Sequence, residues 1–347
     1  MKKMKKALAS LLAATMVMSM SVTAWAASTI VSGVDDKYVN NGTGAVLKDY
    51  VINSGSVEQE NFTFSFTGKS YKSFAANAEE VTSGVPAIND VTITMNVDGG
   101  KLSQGTYNLT GNLDIDAEDY ELGVYKYEVN EVKPTTPTAG VTYSTEKLCL
   151  TLTILRDESN NKHYVAALHY NTETGEKSKG FTNSYDSGSL VITKSITGMM
   201  ANMSDTFDFT ATFTPEDGTV FKSEIGANST IKSYTKNDNG TITITFALGD
   251  AGAITFNNIP AGTTYVVDED NAVGSISGHT YTKTKTLKDG GNGAIAANET
   301  EQVDFVNDYT GTVDTGILLD SAPYVLLLAL AGVGAFAVAT KKREEEF

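Results

Sequence analysis

Short segments in which apolar and polar residues alternate run through residues 28–310, separated by Gly, Asn, Asp and Ser. A period of two places every second side chain on one face of a β-strand, and the 3.6-residue period of an amphipathic helix is missing here. Many short alternating segments with turn residues between them are typical of β-sandwiches. The sequence therefore predicts an all-β fold, with two copies of one layout joined by a hinge at residues 186–189.

The N-terminus has the layout of a secretory signal peptide. A lysine-rich start is followed by an apolar run from Ala7 to about Val22 and then by Ala24-Trp25-Ala26. This order of charged, apolar and small-residue regions is typical of export signals. We therefore expect residues 1–26 to be a signal peptide and the secreted protein to begin near Ala27.

An apolar segment near the C-terminus predicts a transmembrane helix. Residues 322–340 are almost wholly apolar and are followed by Lys341-Lys342-Arg343. Such a segment is long enough to cross a bilayer, and basic residues after a span favour the cytoplasmic side. We expect it to hold the exported chain at the membrane.

Charge and cysteine content argue against two properties, nucleic-acid binding and an intramolecular disulfide. The formal net charge is −16, and loss of the four signal-peptide lysines would make it −20. So acidic a chain repels phosphate backbones, which argues against nucleic-acid binding. The single cysteine, Cys149, rules out an intramolecular disulfide, although an exported protein is free to use them. Any covalent cross-link within the chain must therefore use chemistry other than a disulfide.

In the second copy, each of three strands carries one polar residue among apolar neighbours on its core face. Period two places Lys194 on the apolar face of the opening strand, Glu269 on that of a later strand and Asn307 on that of the last strand. Charged and amide side chains are usually exposed, so their repeated placement on core faces indicates a function.

The first copy has the same three residue types in the same order: Lys48, Glu131 and Asn183. An aromatic segment follows each lysine at a similar distance, at residues 62–66 and 207–209. Lys37 lies close to Lys48 and is a second candidate for the lysine of the first copy.

On these features the chain resembles the major (backbone) pilins of Gram-positive bacteria, of the streptococcal T-antigen type. The resemblance covers nearly the whole chain. The segments that carry it are residues 123–131, 181–183 and 189–194, and Thr315-Gly316 with the downstream Ala322-Pro323-Tyr324.

The resemblance implies two tandem Ig-like β-sandwich domains, at residues 27–186 and 187–310, each closed by a Lys–Asn isopeptide bond. By this resemblance, Lys48 would bond to Asn183 with assistance from Glu131. In the second domain, Lys194 would bond to Asn307 with assistance from Glu269.

It also implies that residues 311–347 hold a sorting signal, the transmembrane segment and a charged tail. A sortase would cleave between Thr315 and Gly316, although the local TVDTG has Asp314 where pilin-type signals have proline. The resulting acyl group would pass to a lysine of the next subunit. Lys177 or Lys179, shortly before Asn183, is the candidate for that lysine.

Isopeptide formation has requirements that a sandwich core can meet. An amine attacks only when it is neutral, so burial must lower the lysine pKa. The same burial should raise the pKa of the glutamate, which can then polarise the Asn amide and shuttle protons as ammonia leaves. Folding holds amine and amide together, so the reaction needs neither an external enzyme nor a cofactor.

These expectations point to a pilus subunit anchored to the bacterial cell wall. Its expected partners are a sortase, identical subunits in a head-to-tail fibre, tip or base pilins, and the membrane before sorting. The alternative is a wall-anchored adhesin that never polymerises. An enzyme acting on external substrates is not expected, because the three histidines do not have the spacing of a catalytic triad or a metal site. The acidic run at residues 114–119 lacks the spacing of a calcium-binding loop, so no metal site is expected either.

Overall fold

The computed structural model describes residues 44–270, 281–287 and 293–310, except positions 96, 98 and 179. Within these residues there are eighteen β-strands and a single 3₁₀-helix, Ala117–Asp119. The all-β prediction is confirmed. Among the described residues no helix is long and apolar enough to span a membrane. Several predicted features lie outside the described residues: the signal peptide, Lys37, Lys179, the Thr315-Gly316 pair and the transmembrane helix.

Residues 44–185 form two sheets that enclose one core. The four-stranded sheet has the order β4-β1-β9-β6, and the five-stranded sheet has the order β3-β2-β5-β7-β8. Their inward faces bury a continuous apolar cluster that is rich in tyrosine and phenylalanine. The strands are β1 (Gly44–Glu58), β2 (Asn61–Ser73), β3 (Val91–Thr94), β4 (Lys101–Leu113), β5 (Gly123–Val132), β6 (Val141–Thr142), β7 (Lys147–Arg156), β8 (His163–Thr172) and β9 (Phe181–Tyr185).

Residues 187–308 form a second pair of sheets around a separate apolar cluster. Here the five-stranded sheet has the order β12-β15-β10-β18-β17 and the four-stranded sheet the order β13-β14-β11-β16. The strands are β10 (Ser187–Thr197), β11 (Thr206–Thr214), β12 (Gly226–Ala227), β13 (Ser233–Lys236), β14 (Ile242–Gly249), β15 (Ala253–Pro260), β16 (Thr264–Glu269), β17 (Thr282–Leu287) and β18 (Thr300–Asp308).

Alternation in the sequence sets which residues are buried. In β14, every second residue from Ile242 to Leu248 is buried and the residues between them are partly exposed. β16 shows the same pattern, with Tyr265, Val267 and Glu269 buried. Because a strand presents alternate side chains to opposite faces, one face of each sheet packs on the core and the other meets water.

In each half of the molecule, the opening and closing strands are parallel neighbours in one sheet. β1 pairs with β9, and β10 pairs with β18. Parallel neighbours require a long crossover, which here is the whole intervening chain of that half. A bond between these two strands would therefore join the start of each half to its end.

The hinge predicted at residues 186–189 is wrong, because Asp186 alone separates β9 from β10. Ser187 is 3% exposed, and a side chain at Gly188 would collide with the Ala296 carbonyl oxygen, 2.5 Å from the position of its Cβ. Asp186 is itself held, since its N–H donates to Gly140 O and its carbonyl accepts from Ala261 N, both at 2.9 Å. The small residues of this segment serve close packing and not flexibility.

Further polar contacts join the two halves on either side of this junction. Ser54 Oγ donates to Ser187 O and accepts from Ser187 N, both at 2.8 Å. Ser56 N donates to Asn258 Oδ1 at 2.7 Å. Lys222 Nζ lies 3.6 Å from Glu60 Oε1, and the Glu60 side chain is only 1% exposed. The two halves therefore meet through a network of hydrogen bonds and the partly buried ion pair of Lys222 and Glu60.

Candidate functional site

The structure brings together the three residues of each predicted cluster, inside the core of each half. Lys48 lies on β1, Glu131 on β5 and Asn183 on β9. Lys48 and Asn183 are fully buried, and the Glu131 side chain is 1% exposed. Buried ionisable groups carry a large desolvation cost unless they are paired, so these positions are costly in a structural core.

The second cluster has the same layout one domain further along the chain. Lys194 lies on β10, Glu269 on β16 and Asn307 on β18. The side chains of Lys194 and Glu269 are fully buried, and so is Asn307. In both halves the lysine and asparagine come from the parallel pair of strands, and the glutamate comes from the facing sheet.

The strand register places lysine and asparagine identically in the two halves. Lys48 is opposite Phe181, and Asn183 is opposite Tyr50. The lysine and asparagine are thus diagonal neighbours on one face of adjacent strands, about 8 Å apart at Cα from a strand spacing of about 4.8 Å and a rise of about 3.3 Å per residue. A lysine side chain can reach across that distance.

Register in the second half repeats this offset. Lys194 is opposite Phe305, and Asn307 is opposite Ile196. The same offset of two residues therefore occurs twice. In both places the lysine and the asparagine are diagonal neighbours on one face of adjacent strands.

In the first cluster, one carboxylate bridges the two nitrogens. Lys48 Nζ lies 2.8 Å from Glu131 Oε2, and Asn183 Nδ2 donates to Glu131 Oε1 at 2.5 Å. The carbonyl oxygen of the amide is also held, because Ser144 N donates to Asn183 Oδ1 at 2.7 Å. The amine, the amide nitrogen and the amide oxygen are thus each positioned by a separate contact.

In the second cluster, the amide nitrogen is held in the same way and the amine is not. Asn307 Nδ2 donates to Glu269 Oε1 at 2.5 Å. Lys194 Nζ is 3.8 Å from Glu269 Oε2 and donates instead to Ser195 O at 3.0 Å. Glu269 Oε2 and Asn307 Oδ1 are buried without a hydrogen-bond partner among the described residues.

Each lysine amine also lies over an aromatic ring. Lys48 Nζ is 4.9 Å from the centroid of the Phe62 ring, and Lys194 Nζ is 4.7 Å from that of Phe207. These rings belong to the aromatic segments that follow each lysine in the sequence. They seal the amine from water while offering a charged amine some compensation through the π-face.

Burial shifts the pKa values of both lysines and of Glu269 in the directions that amide formation requires. Desolvation lowers the pKa of Lys194 to about 8, against the opposing effect of the Glu269 and Asp250 carboxylates. Desolvation likewise raises the pKa of Glu269. It also lowers the pKa of Lys48, although the hydrogen bond and charge of Glu131 act in the opposite direction. A neutral amine is therefore more accessible at both sites than it is for a free lysine.

The structure describes Lys177, which is one of the two candidates for the lysine that links subunits. Lys177 is exposed and lies between β8 and β9, where it forms an isolated bridge with Asn171. Lys179 is outside the described residues.

Within the described part of the chain, no group of three or more His, Cys, Asp and Glu side chains is placed to hold a metal ion.

Sequence reasoning did not identify Ser144, whose contribution is a backbone N–H and leaves no side-chain signature. It also gave no role to Glu60, a buried carboxylate that accepts from Tyr143 Oη at 2.8 Å and adds to the negative field around Lys48. The aromatic segments were the available signal for the rings that cover the lysines.

Two family models match successive parts of the chain. Residues 45–186 match the family described as "Spy0128-like isopeptide containing domain". Residues 188–309 match a domain of unknown function, DUF7601.

Streptococcal pilins are among the known proteins that are similar to this chain. A curated protein described as "Pilin", from Streptococcus pyogenes serotype M1, is 26% identical over 93% of this chain and 96% of its own length. The crystal structure of the major pilin from Streptococcus pyogenes covers 79% of this chain and all of its own chain, with a TM-score of 0.51 and 23% identity. A substituted variant of that pilin covers 78% of this chain and all of its own, with a TM-score of 0.50 and 24% identity.

At 23% and 24% identity, the similarity to the solved structures is evidence for the fold alone. The curated relative and the isopeptide-domain match extend it to the sequence of the first half, where Lys48, Glu131 and Asn183 lie. Together, these findings confirm that the chain is similar to the major pilins of Gram-positive bacteria.

Proposed function

We propose that this chain is a structural subunit of a covalent cell-surface pilus, stabilised by two intramolecular Lys–Asn isopeptide bonds and joined to its neighbours by a sortase. The observation that carries the proposal is the repeated buried cluster of lysine, glutamate and asparagine on the opening, facing and closing strands. The proposed bonds are Lys48 to Asn183 and Lys194 to Asn307.

Burial favours the bonded state over the unbonded one at both sites. An unreacted site keeps a lysine and a glutamate in an apolar core, at a large desolvation cost. Amide formation turns the amine into a neutral group and releases ammonia. The reaction therefore removes the feature that is hardest to reconcile with a stable core.

The bonds would also restrict the unfolded chain. They would close loops of 135 and 113 residues. By analogy with disulfide cross-links, closing a loop of about 100 residues contributes on the order of 4 to 5 kcal/mol to the free energy of unfolding. Because each bond would join the first strand of a domain to its last, tension along the chain would pass through the bond and not peel the sheets apart.

Export and assembly follow from the ends of the chain. In this proposal residues 1–26 direct secretion, the two domains span residues 27–186 and 187–310, and residues 311–347 hold the chain in the membrane until a sortase cleaves after Thr315. The exposed Lys177 is the preferred acceptor of the resulting acyl group, and Lys179 is the alternative. The protein would then be attached to the bacterial cell wall, with tip or base pilins as further partners.

A wall-anchored adhesin that never polymerises is the second candidate, since it would share export, sandwich domains and anchoring. Surface extracts of the producing bacterium distinguish the two. A pilus subunit gives an SDS-resistant ladder that is lost in Lys177→Ala or Lys179→Ala, whereas a monomeric adhesin gives a single band.

Intact mass tests the internal bonds directly. Each bond releases ammonia, which lowers the mass by about 17 Da, so the folded chain should be lighter than its sequence by about 34 Da. Tryptic mapping should find residue 48 joined to 183 and residue 194 joined to 307. An unchanged mass in the folded protein would refute the proposal.

A further inference from the structure

We propose that the backbone N–H of Ser144 is the oxyanion donor for bond formation at the first site. This inference deepens the proposed function and rests on it. It assigns the polarisation of the Asn183 carbonyl to the main chain between β6 and β7, and it leaves Glu131 free to transfer protons between the two nitrogens.

The hydrogen bonds of Asn183 separate these two tasks. Its carbonyl oxygen accepts from Ser144 N at 2.7 Å, whereas its amide nitrogen faces Glu131 Oε1 at 2.5 Å. The hydrogen bond to Glu131 uses the amide nitrogen, and the hydrogen bond from Ser144 uses the oxygen on which negative charge develops. A donor already aimed at that oxygen is what stabilises a tetrahedral intermediate.

Local structure holds the Ser144 amide in this position. β6 pairs with β9 up to Thr142 opposite Ser184, so the chain that follows β6 runs beside Asn183. Tyr143 is anchored on both sides, because its hydroxyl accepts from Thr138 N at 3.1 Å and donates to Glu60 at 2.8 Å. The Ser144 hydroxyl is used elsewhere, accepting from Glu146 N at 3.3 Å. The serine side chain is thus dispensable for the proposed contact.

The proposed step balances in atoms and charge. The Lys48 ammonium first gives a proton to Glu131 Oε2, and the neutral Nζ attacks Asn183 Cγ, placing negative charge on Oδ1 opposite the Ser144 N–H. Glu131 gives that proton to Nδ2, the electron pair on Oδ1 re-forms the carbonyl as the Cγ–Nδ2 bond breaks, and ammonia leaves. Glu131 then takes the second proton from Nζ. The products are a neutral amide, ammonia and a neutral Glu131 carboxyl, so two buried charges are removed.

The second site has a different arrangement around the amide oxygen. Asn307 Oδ1 is buried and lacks a hydrogen-bond partner among the described residues. Among the residues that the structure describes, a backbone N–H therefore contacts the amide oxygen at the first site and not at the second. This difference makes the second site an internal reference for an experiment on the first.

The test replaces the Ser144 N–H by an ester oxygen. The full chain is produced with lactic acid at position 144 by nonsense suppression, and Ser144→Ala is the matched control, because these two chains differ only in N–H against O. Each is recovered unreacted from inclusion bodies and refolded, and the mass loss is followed by tryptic mapping in the protease-resistant, folded fraction. We expect bond formation between residues 48 and 183 to be about 100-fold slower in the ester chain than in Ser144→Ala.

Bond formation between residues 194 and 307 should proceed at the same rate in both chains. Equal rates at the first site would overturn the role of Ser144 and leave the proposed function intact. Absence of both bonds from the unaltered chain would overturn the proposed function itself.

A second measurement needs no altered backbone. Glu131→Ala keeps Asn183 unreacted, and in this chain hydrogen exchange at the Ser144 amide should be slow. Adding Asn183→Ala should accelerate that exchange at least tenfold relative to neighbouring amides. Unchanged exchange would show that the amide does not hold the Asn183 oxygen and would overturn the inference.

Discussion

The two buried clusters use the same residues on the same strand register, yet they hold the lysine differently. In the first, Lys48 Nζ contacts Glu131 at 2.8 Å, and the amide oxygen is held by Ser144. In the second, the Lys194 amine is 3.8 Å from Glu269 and donates to a backbone carbonyl. Topology fixes which groups meet, whereas the immediate neighbours set their protonation and their readiness to react.

Amide formation needs a neutral amine and benefits from a donor to the amide oxygen, and the two sites differ in which of these they supply. The second site makes a neutral amine more accessible, because burial lowers the pKa of Lys194 to about 8 and the amine, 3.8 Å from Glu269, is too far away to donate a hydrogen bond to it. The first site holds its amine 2.8 Å from the Glu131 carboxylate, and it also supplies a donor for the amide oxygen. Variants that alter one of these contributions at a time test this difference between the two sites.

The largest expected effect is loss of one bond at a time. Glu131→Ala should prevent the bond at the first site and Glu269→Ala that at the second, because neither lysine then has a carboxylate to receive its protons. Intact mass would show a loss of about 17 Da in each variant instead of about 34 Da.

Matched controls lie on the same two strands. Glu128→Ala on β5 and Asp268→Ala on β16 remove carboxylates that face solvent, with side chains 27% and 71% exposed. Both should retain the full mass loss. If Glu131→Ala or Glu269→Ala also retained it, the assisting role of that residue would be wrong.

The next effect is on stability. Asn183→Ala and Asn307→Ala should each lower the free energy of unfolding by on the order of 4 to 5 kcal/mol, because the unfolded chain regains the entropy of an open loop. Guanidinium unfolding followed by circular dichroism measures the change. Asn89→Ala, at an exposed position between β2 and β3, serves as the control and should change stability little. A loss below about 1 kcal/mol in both test variants would contradict the cross-link.

The pH dependence should be clearest at the second site. Lys194 is protonated and unreactive below its pKa of about 8 and neutral above it. The rate of the bond between residues 194 and 307 should therefore rise about tenfold per pH unit up to about pH 8 and then level off. Refolding of the unreacted chain at several pH values, with tryptic mapping at intervals, measures it. A rate independent of pH between 6 and 8 would exclude control by this amine.

The smallest expected effect concerns Asp250, whose carboxylate raises the pKa of Lys194 and accepts from Ile196 N at 2.8 Å. Asp250→Asn keeps an acceptor oxygen but removes the charge. It should shift the pH profile of the second site down by about half a unit or less, and leave the first site unchanged. Asp238→Asn, in the turn before β14, is the control for loss of one charge. An upward shift would contradict the assigned influence of Asp250.

The sequence predicted the fold class and the buried faces well, because period two is a direct consequence of strand geometry. It placed Lys194, Glu269 and Asn307 on core faces without knowledge of which strands pair. It could not predict the register offset or the contact of Ser144, since both depend on how distant strands align. The hinge prediction failed for a related reason: Ser187 and Gly188 have the composition of a linker, but the same small side chains allow close packing at a junction.

That junction has a mechanical consequence for the proposed pilus. Asp186 is bonded on both sides, and the contact between Lys222 and Glu60 ties the two halves at a second point. Each subunit would therefore behave as one stiff segment about two sandwiches long. In a filament of such segments, bending would concentrate at the joints between subunits, and the spacing of those joints would set how tightly the filament curves under flow.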